Sequence, residues 1–167
     1  KKYGDPKLLD GFLFIDLNKE NKLIIMGGYG LNTNLNPFEK AYGRMIYFTL
    51  DTSGVMLNKK EFGQYGSEIY DCVKDSSGNL TCAGQTYEPD DKKTRGFVAK
   101  FNADGDTLWT RRYDTFLNGV EKTCRFRGIV ATKDKGYILT GARFAWFGVP
   151  PNSFQGWVVK VDSMGYD

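Results

Sequence analysis

Residues 73–84 read VKDSSGNLTCAG: a short strand-like start, a polar turn, then a largely apolar run closed by glycine. The same pattern stands at 16–27 (DLNKENKLIIMG) and at 130–141 (VATKDKGYILTG), aligned without gaps. The closing glycines are Gly27, Gly84 and Gly141, so the step is 57 residues both times. Self-similarity at a fixed period of this size marks a repeat architecture and is read before any single element. Each copy is a strand, a turn and a second strand, which is the pattern of a β-hairpin.

A second motif follows each copy: MIYFTLDTSGVMLNKKEFG (45–63), GFVAKFNADGDTLWTRRYD (96–114) and GWVVKVDSMGYD (156–167). Ile46, Phe97 and Trp157 correspond, as do the turn glycines Gly54, Gly105 and Gly165. Asp51, Asn102 and Asp162 each stand three residues before that glycine. Asx at the start of a turn with Gly at its left-handed position is ordinary hairpin chemistry. Two hairpins make four strands per repeat. The third strand is apolar at successive positions (Trp157, Val158, Val159), which predicts burial on both faces. No segment has helical periodicity. Four-stranded units packed face to face around an axis make a β-propeller, so the expected class is all-β, a partial propeller of about three repeats filling residues 1–167.

The pattern of LW, a basic pair and YD (108–114), then DKGYILTG (134–141) and WVVKVDSMG (157–165), resembles the propeller repeats of secreted Bacteroidota proteins. Those repeats are similar to the delta-60 and seven-bladed propeller types often carried on type IX secretion cargo. The resemblance implies a secreted or outer-membrane-associated cell-surface protein. The first repeat departs most, with Asn58 at the place of Trp109 and Asn21 at the place of the hairpin glycine.

The repeat boundaries follow: blade 1 over 8–63, blade 2 over 64–114, and blade 3 over 121–167, lacking its fourth strand. KKYGD (1–5) matches RRYD (111–114), so the opening residues read as the tail of a preceding blade. Three blades are short of the roughly four to eight that close a ring. The chain is therefore expected to be a slice of a larger propeller or assembly, a processed chain, or a unit that self-associates.

Composition excludes several classes. Histidine is absent, which removes the commonest general base and zinc ligand. The 23 Lys and Arg residues balance 20 acids and are scattered, so no nucleic-acid stripe is expected. Apolar runs are too short for a transmembrane helix. Cys72, Cys82 and Cys124 lack metal-type spacing, and their odd number allows at most one internal disulfide. Three buried free thiols is one reading. Cys72 and Cys82 on facing strands of one hairpin could also bond.

Connections alternate between two ends of such a sheet. The hairpin turns match in length, whereas the links from second to third strand differ, and binding function concentrates in such loops on a rigid scaffold. Their contents are YGLNTNLNPFEKAYGR (29–44), QTYEPDDKKTR (85–95) and ARFAWFGVPPNSFQG (142–156). The candidate binding residues are Tyr29, Tyr42, Arg44, Tyr87, Arg143, Phe144, Trp146 and Phe147. Their aromatic content suits a protein or glycan partner, with packing on a neighbouring blade as the plainer alternative.

No catalytic set and no cofactor is assigned. Asn102, Asp104 and Asp106 alternate as in a calcium loop, but no distal acid follows, and the sister turns lack the third oxygen. Spacing excludes an Asp-box. A sialidase-like site would require Tyr beside an acid and an arginine cluster, and nothing in the spacing of Arg125, Arg127 and Arg143 brings those together. Glu88, Asp90 and Asp91 sit among lysines and read as a solvated loop. The leading expectation is a non-catalytic surface module binding a protein or glycan. The alternatives are part of a propeller hydrolase or lyase with catalytic residues elsewhere, and an architectural spacer.

Overall fold

The computed structural model describes residues 3, 8–32, 44–63, 66–88, 90, 93–117, 120–144 and 154–167, with side chains for all of these except 8–10, 29–32, 117, 120, 121, 144 and 154. The described residues form twelve strands and no helix. Strands β1 (Leu8–Leu17), β2 (Leu23–Asn32), β3 (Arg44–Leu50) and β4 (Met56–Phe62) pair in that order as one antiparallel sheet. Strands β5 (Glu68–Lys74), β6 (Leu80–Glu88), β7 (Lys93–Phe101) and β8 (Thr107–Tyr113) form the second. In the third, β10 (Val120–Ala131), β11 (Tyr137–Phe144) and β12 (Phe154–Val161) repeat the first three strands of the others. Its fourth strand is the short β9 (Thr115–Leu117), which pairs with β10 rather than with β12.

The 57-residue glycines have a backbone cause. The first strand of every sheet bulges at one equivalent residue: Leu13, Tyr70 and Arg127 have no partner opposite. Just before the bulge, Phe12, Ile69 and Phe126 pair with Gly27, Gly84 and Gly141. A Cβ on Gly84 would lie 1.8 Å from the Glu68 carbonyl oxygen, and those on Gly27 and Gly141 would lie 2.0 and 1.9 Å from the carbonyls of Gly11 and Arg125. The neighbouring backbone fills the side-chain position, so only glycine fits.

The six hairpin turns share one geometry. In five of them an Asx Oδ1 (Asn18, Asp51, Asp75, Asn102, Asp162) accepts the backbone N–H groups two and four residues on. In the sixth, Thr132 donates its hydroxyl to Asp134, whose Oδ1 also accepts from Gly136 N–H. The left-handed position is occupied by Gly54, Gly78, Gly105 and Gly165, and also by Asn21 (φ 57°) and Lys135 (φ 68°). Asn21 thus does the work of the hairpin glycine it replaces, and asparagine tolerates this region better than most residues.

Sheets pack face to face in chain order. Ile24, Met26, Met45 and Tyr47 of the first sheet meet Ile69, Cys72, Leu80, Cys82 and Phe101 of the second in one buried cluster. Ala83, Val98 and Tyr113 of the second meet Phe126, Ile129, Tyr137 and Leu139 of the third in another. Phenols tie these interfaces. Tyr47 donates to the Ala103 carbonyl at 3.0 Å, and Tyr113 to the Gly165 carbonyl at 2.6 Å. Burial, with the Asp104 and Asp106 charges nearby, pushes the Tyr47 phenol up to about 12, so it remains a donor at working pH. Burial, joined by the Asp167 charge, likewise raises Tyr113. The apolar run of β12 departs from expectation: Val158 is 69% exposed, because no described element covers that face.

Cys72 and Cys82 are directly opposed in the hairpin register and form a disulfide, while Cys124 lies buried outside it, its thiol donating to the Tyr113 carbonyl at 3.3 Å. The reading of three buried thiols therefore gives way to one disulfide and one buried thiol, Cys124. Asp75 N–H bonds to Asn79 O, so counting back along the register makes Cys72–Cys82 a non-hydrogen-bonded pair, where facing side chains are closest.

Candidate binding surface

The hairpin turns and the strand-to-strand links lie at opposite ends of the sheets, because consecutive antiparallel strands reverse direction. At the link end, Tyr29, Thr86 and Arg143 each stand two residues beyond an anchor glycine and so hold one equivalent position in the three sheets. Tyr29 pairs with Arg44, Tyr87 with Thr94, Arg143 with Gln155 and Phe144 with Phe154. The structure thus brings Tyr29, Arg44, Tyr87, Arg143 and Phe144 to the same ends of their sheets by backbone position. Tyr42, Trp146 and Phe147 lie outside the described residues.

Two ion pairs stand at this end. Glu88 pairs with Arg112 of β8 at 2.6 Å, and Arg95 pairs with Asp114 at 2.6 Å. Glu88 and Arg95 therefore reach the β8 strand and its exit, where sequence suggested a solvated loop; Asp91 and Lys92 lie outside the described residues. Arg143 donates from Nε to Gln155 Oε1 at 2.9 Å, and from Nη1 towards the Phe116 carbonyl at 3.4 Å and Thr115 Oγ1 at 3.5 Å. Its guanidinium pins β9 to the third sheet while its side chain stays half-exposed.

The opposite end offers less. Asn102 Oδ1 accepts from both Asp104 N–H and Asp106 N–H, and Asp106 is held by Lys60 at 2.5 Å. The side-chain oxygens of Asn102 and Asp106 thus close a turn and bridge two sheets. No group of three or more His, Cys, Asp or Glu side chains placed to hold a metal ion occurs among the described residues. Trp109 packs towards Gly165 in the turn after β12, and Asn58 at the equivalent place reaches the Asp104 carbonyl at 3.5 Å.

A third cluster escaped the sequence reading. Tyr70 and Arg127, equivalent bulge residues of neighbouring sheets, meet with the guanidinium 3.9 Å from the phenol ring centroid. Tyr70 donates to Glu68, which also accepts from Gln85 Nε2 at 3.2 Å. Tyrosine, acid and arginine do come together here, contrary to the expectation from spacing. Burial, the Glu68 charge and the hydrogen bond to it raise the Tyr70 phenol, against a smaller pull from Arg127 and Arg125, so Tyr70 stays a protonated donor to Glu68. The 57-residue step, extended from the glycines to residues 13, 70 and 127, is the signal that would have found the pair.

No known protein family matches the sequence, and no curated protein matches it either.

Proposed function

We propose that the chain is a non-catalytic β-propeller module that binds a protein or glycan partner through its link end. Two sheets of one four-strand plan and a third that repeats its first three strands, packed in chain order through two buried clusters, support the propeller reading. The observation that carries the binding assignment is the contrast between the two ends. Six hairpin turns use one self-satisfied geometry, whereas one equivalent link-end position holds Tyr29, Thr86 and Arg143. Uniform turns serve the scaffold, and a site on a rigid scaffold is where residue identity is free to differ. A disulfide fits an oxidising compartment, in keeping with a secreted or cell-surface protein.

A glycan array and a surface-protein library probed with wild type, Tyr87→Ala and Trp146→Ala test this. Bound signal should fall about tenfold or more in the variants, the scale of one lost aromatic contact, with melting temperature held. Equal signal in both variants overturns the assignment, as does breakdown of any arrayed polysaccharide by the wild type.

A further inference from the structure

The backbone at the hairpin-turn end is uniform, but the side chains between its turns are not. Where the second and third sheets meet at this end, a cleft of about 360 Å³ opens among residues of both. Three lysines line it, Lys74 and Lys100 from the second sheet and Lys135 from the third. Ser76, Ser77, Thr81, Tyr137 and Ser163 line it too and bring their hydroxyls. The repeat shows what is particular here. At the meeting of the first and second sheets, Ile24 stands for Thr81, Leu80 for Tyr137 and Gly78 for Lys135, and strand register puts Thr49 at the place of Lys100. Ile24 and Leu80 are wholly buried in an apolar cluster. One plan is thus closed with apolar side chains at one junction and opened with ammonium and hydroxyl groups at the next.

The polar groups of the cleft are fixed by one another. Thr81 donates to the Tyr137 phenol at 2.9 Å and the Lys100 ammonium does so at 3.4 Å, with Thr81 and Tyr137 both buried. The phenol oxygen accepts twice, which leaves its own proton for a further acceptor. Lys100 also reaches Asp75 at 3.2 Å; burial works against its charge, but Tyr137 and Asp75 outweigh it and the ammonium is kept. The neighbouring acids Asp16, Asp75 and Asp134 are paired with Lys74, Lys100 and Lys160. Lys135 has no ion-pair partner among the described residues and is the surplus charge. It is held there at a conformational cost. Its φ of 68° lies in the left-handed region, where the two preceding repeats place Asn21 and Gly78. Backbone strain of this kind gathers at ligand sites.

We propose that this cleft binds a sugar carrying an anionic group, a carboxylate or a sulfate. Lys100, Lys135 and the Tyr137 hydroxyl supply the charge and the donors for the anion. Ser76, Ser77 and Ser163 supply partners for the ring hydroxyls. Size and lining select this class. A bare inorganic anion fills only a small part of about 360 Å³, a volume within the range of pockets for whole small molecules. Val73 and Ala131 give too little apolar wall for an apolar ligand. Tyr137 is buried, so it offers no ring face on which a nucleobase could stack. The site stands at the opposite end of the sheets from the link-end surface and does not depend on it.

Amide NMR titrations of the 167-residue chain with glucuronate, glucose sulfate, glucose and inorganic sulfate test this. Glucuronate or glucose sulfate should shift the amides of Ser77, Lys135 and Ser163. Either should bind about tenfold or more tighter than glucose or inorganic sulfate, the scale of one charge-assisted hydrogen bond. Lys135→Gly is the decisive variant, because glycine relaxes the backbone at that position. Its melting temperature should stay level or rise while its affinity falls about tenfold or more. Binding unchanged in Lys135→Gly overturns the site. Glucose binding as tightly as glucuronate and glucose sulfate overturns the anionic assignment, and inorganic sulfate binding as tightly overturns the sugar. Shifts confined to the amides of Tyr87 and Arg143 overturn this cleft and leave the link-end reading standing. No shift with any of the four probes overturns the cleft as well.

Discussion

Replacing Gly84 with alanine tests the account of the repeat most directly. The added Cβ would lie 1.8 Å from the Glu68 carbonyl oxygen, 2.8 Å from its carbon and 3.0 Å from Ile69 Cα, all backbone atoms that no rotamer change can move. Relaxed carbon–oxygen contacts sit at roughly 3.3–3.6 Å, so β5 and β6 would have to part by about 1.5 Å. That separation breaks ladder bonds of about 1 kcal/mol each and leaves buried polar groups unpaired at about 1–3 kcal/mol apiece. The total is roughly 3–5 kcal/mol, and for a chain of this length it lowers the melting temperature by about 6–20 °C. Gly156→Ala is the control, because its Cβ would meet nothing within 4 Å, and it should stay within about 0.5 kcal/mol of wild type. Thermal unfolding followed by circular dichroism reads both. If Gly84→Ala melts within 2 °C of Gly156→Ala, by about 1 kcal/mol or less, the backbone explanation of the 57-residue glycines is wrong.

Two further outcomes follow from the geometry. Opening the Cys72–Cys82 bond, at a sequence separation of 10, releases loop entropy worth about 2.7 kcal/mol. A Cys72→Ala/Cys82→Ala variant should melt about 5–10 °C below wild type, and thiol titration of the wild type should find one group, Cys124, reactive only after unfolding. Acid should destabilise the protein through its turns. Burial raises the Asp75 carboxyl, but hydrogen bonds from the Asn79 side chain and backbone and from Lys100 outweigh it, and the net shift is downward. Hydrogen bonds from Lys60 and Asn102 lower Asp106, and those from Lys160, Thr132 and Gly136 lower Asp134. Carboxyls depressed by folding contribute stability above their unfolded value of about 3.9 and lose it as pH falls through the folded value. Melting temperature should therefore be level from neutral to about pH 5 and drop below about pH 4. The gap between wild type and Asp75→Asn, which keeps the turn acceptor and loses the charge, should close over the same range.

Local chemistry was readable where the cause is local. Asx at the head of a turn and glycine at its left-handed position announced the hairpins, since hydrogen bonds within five residues dictate both. Gly27, Gly84 and Gly141 were found by spacing alone, yet their reason, a carbonyl from the facing strand, depends on a bulge whose residues Leu13, Tyr70 and Arg127 share no chemistry. The same dissimilarity hid the contact of Tyr70 with Arg127. Lys135 in the left-handed region carried no signal of its own, since lysine has no local preference for that conformation. Val158 misled for another reason: apolarity encodes what a strand is built to meet, and no described residue covers that face. Of the link-end residues, register located Tyr29, Arg44, Tyr87, Arg143 and Phe144, but the anchoring of Arg143 on β9 depends on a strand that no repeat comparison contains.

The phenol-to-turn bonds have a consequence for how the molecule comes apart. Tyr47 and Tyr113 reach out of their own sheets to carbonyls in the β7–β8 and post-β12 turns, and Tyr3 does the same to the β3–β4 turn. A turn that frays thus removes an acceptor from the sheet before it, as well as a closure from its own. In a linear array of repeats, stability divides between each unit's intrinsic term and its coupling to neighbours. These bonds place stability in the coupling term. The four-stranded units should therefore melt in one cooperative step, with no stage in which one sheet is lost while its neighbour is left intact.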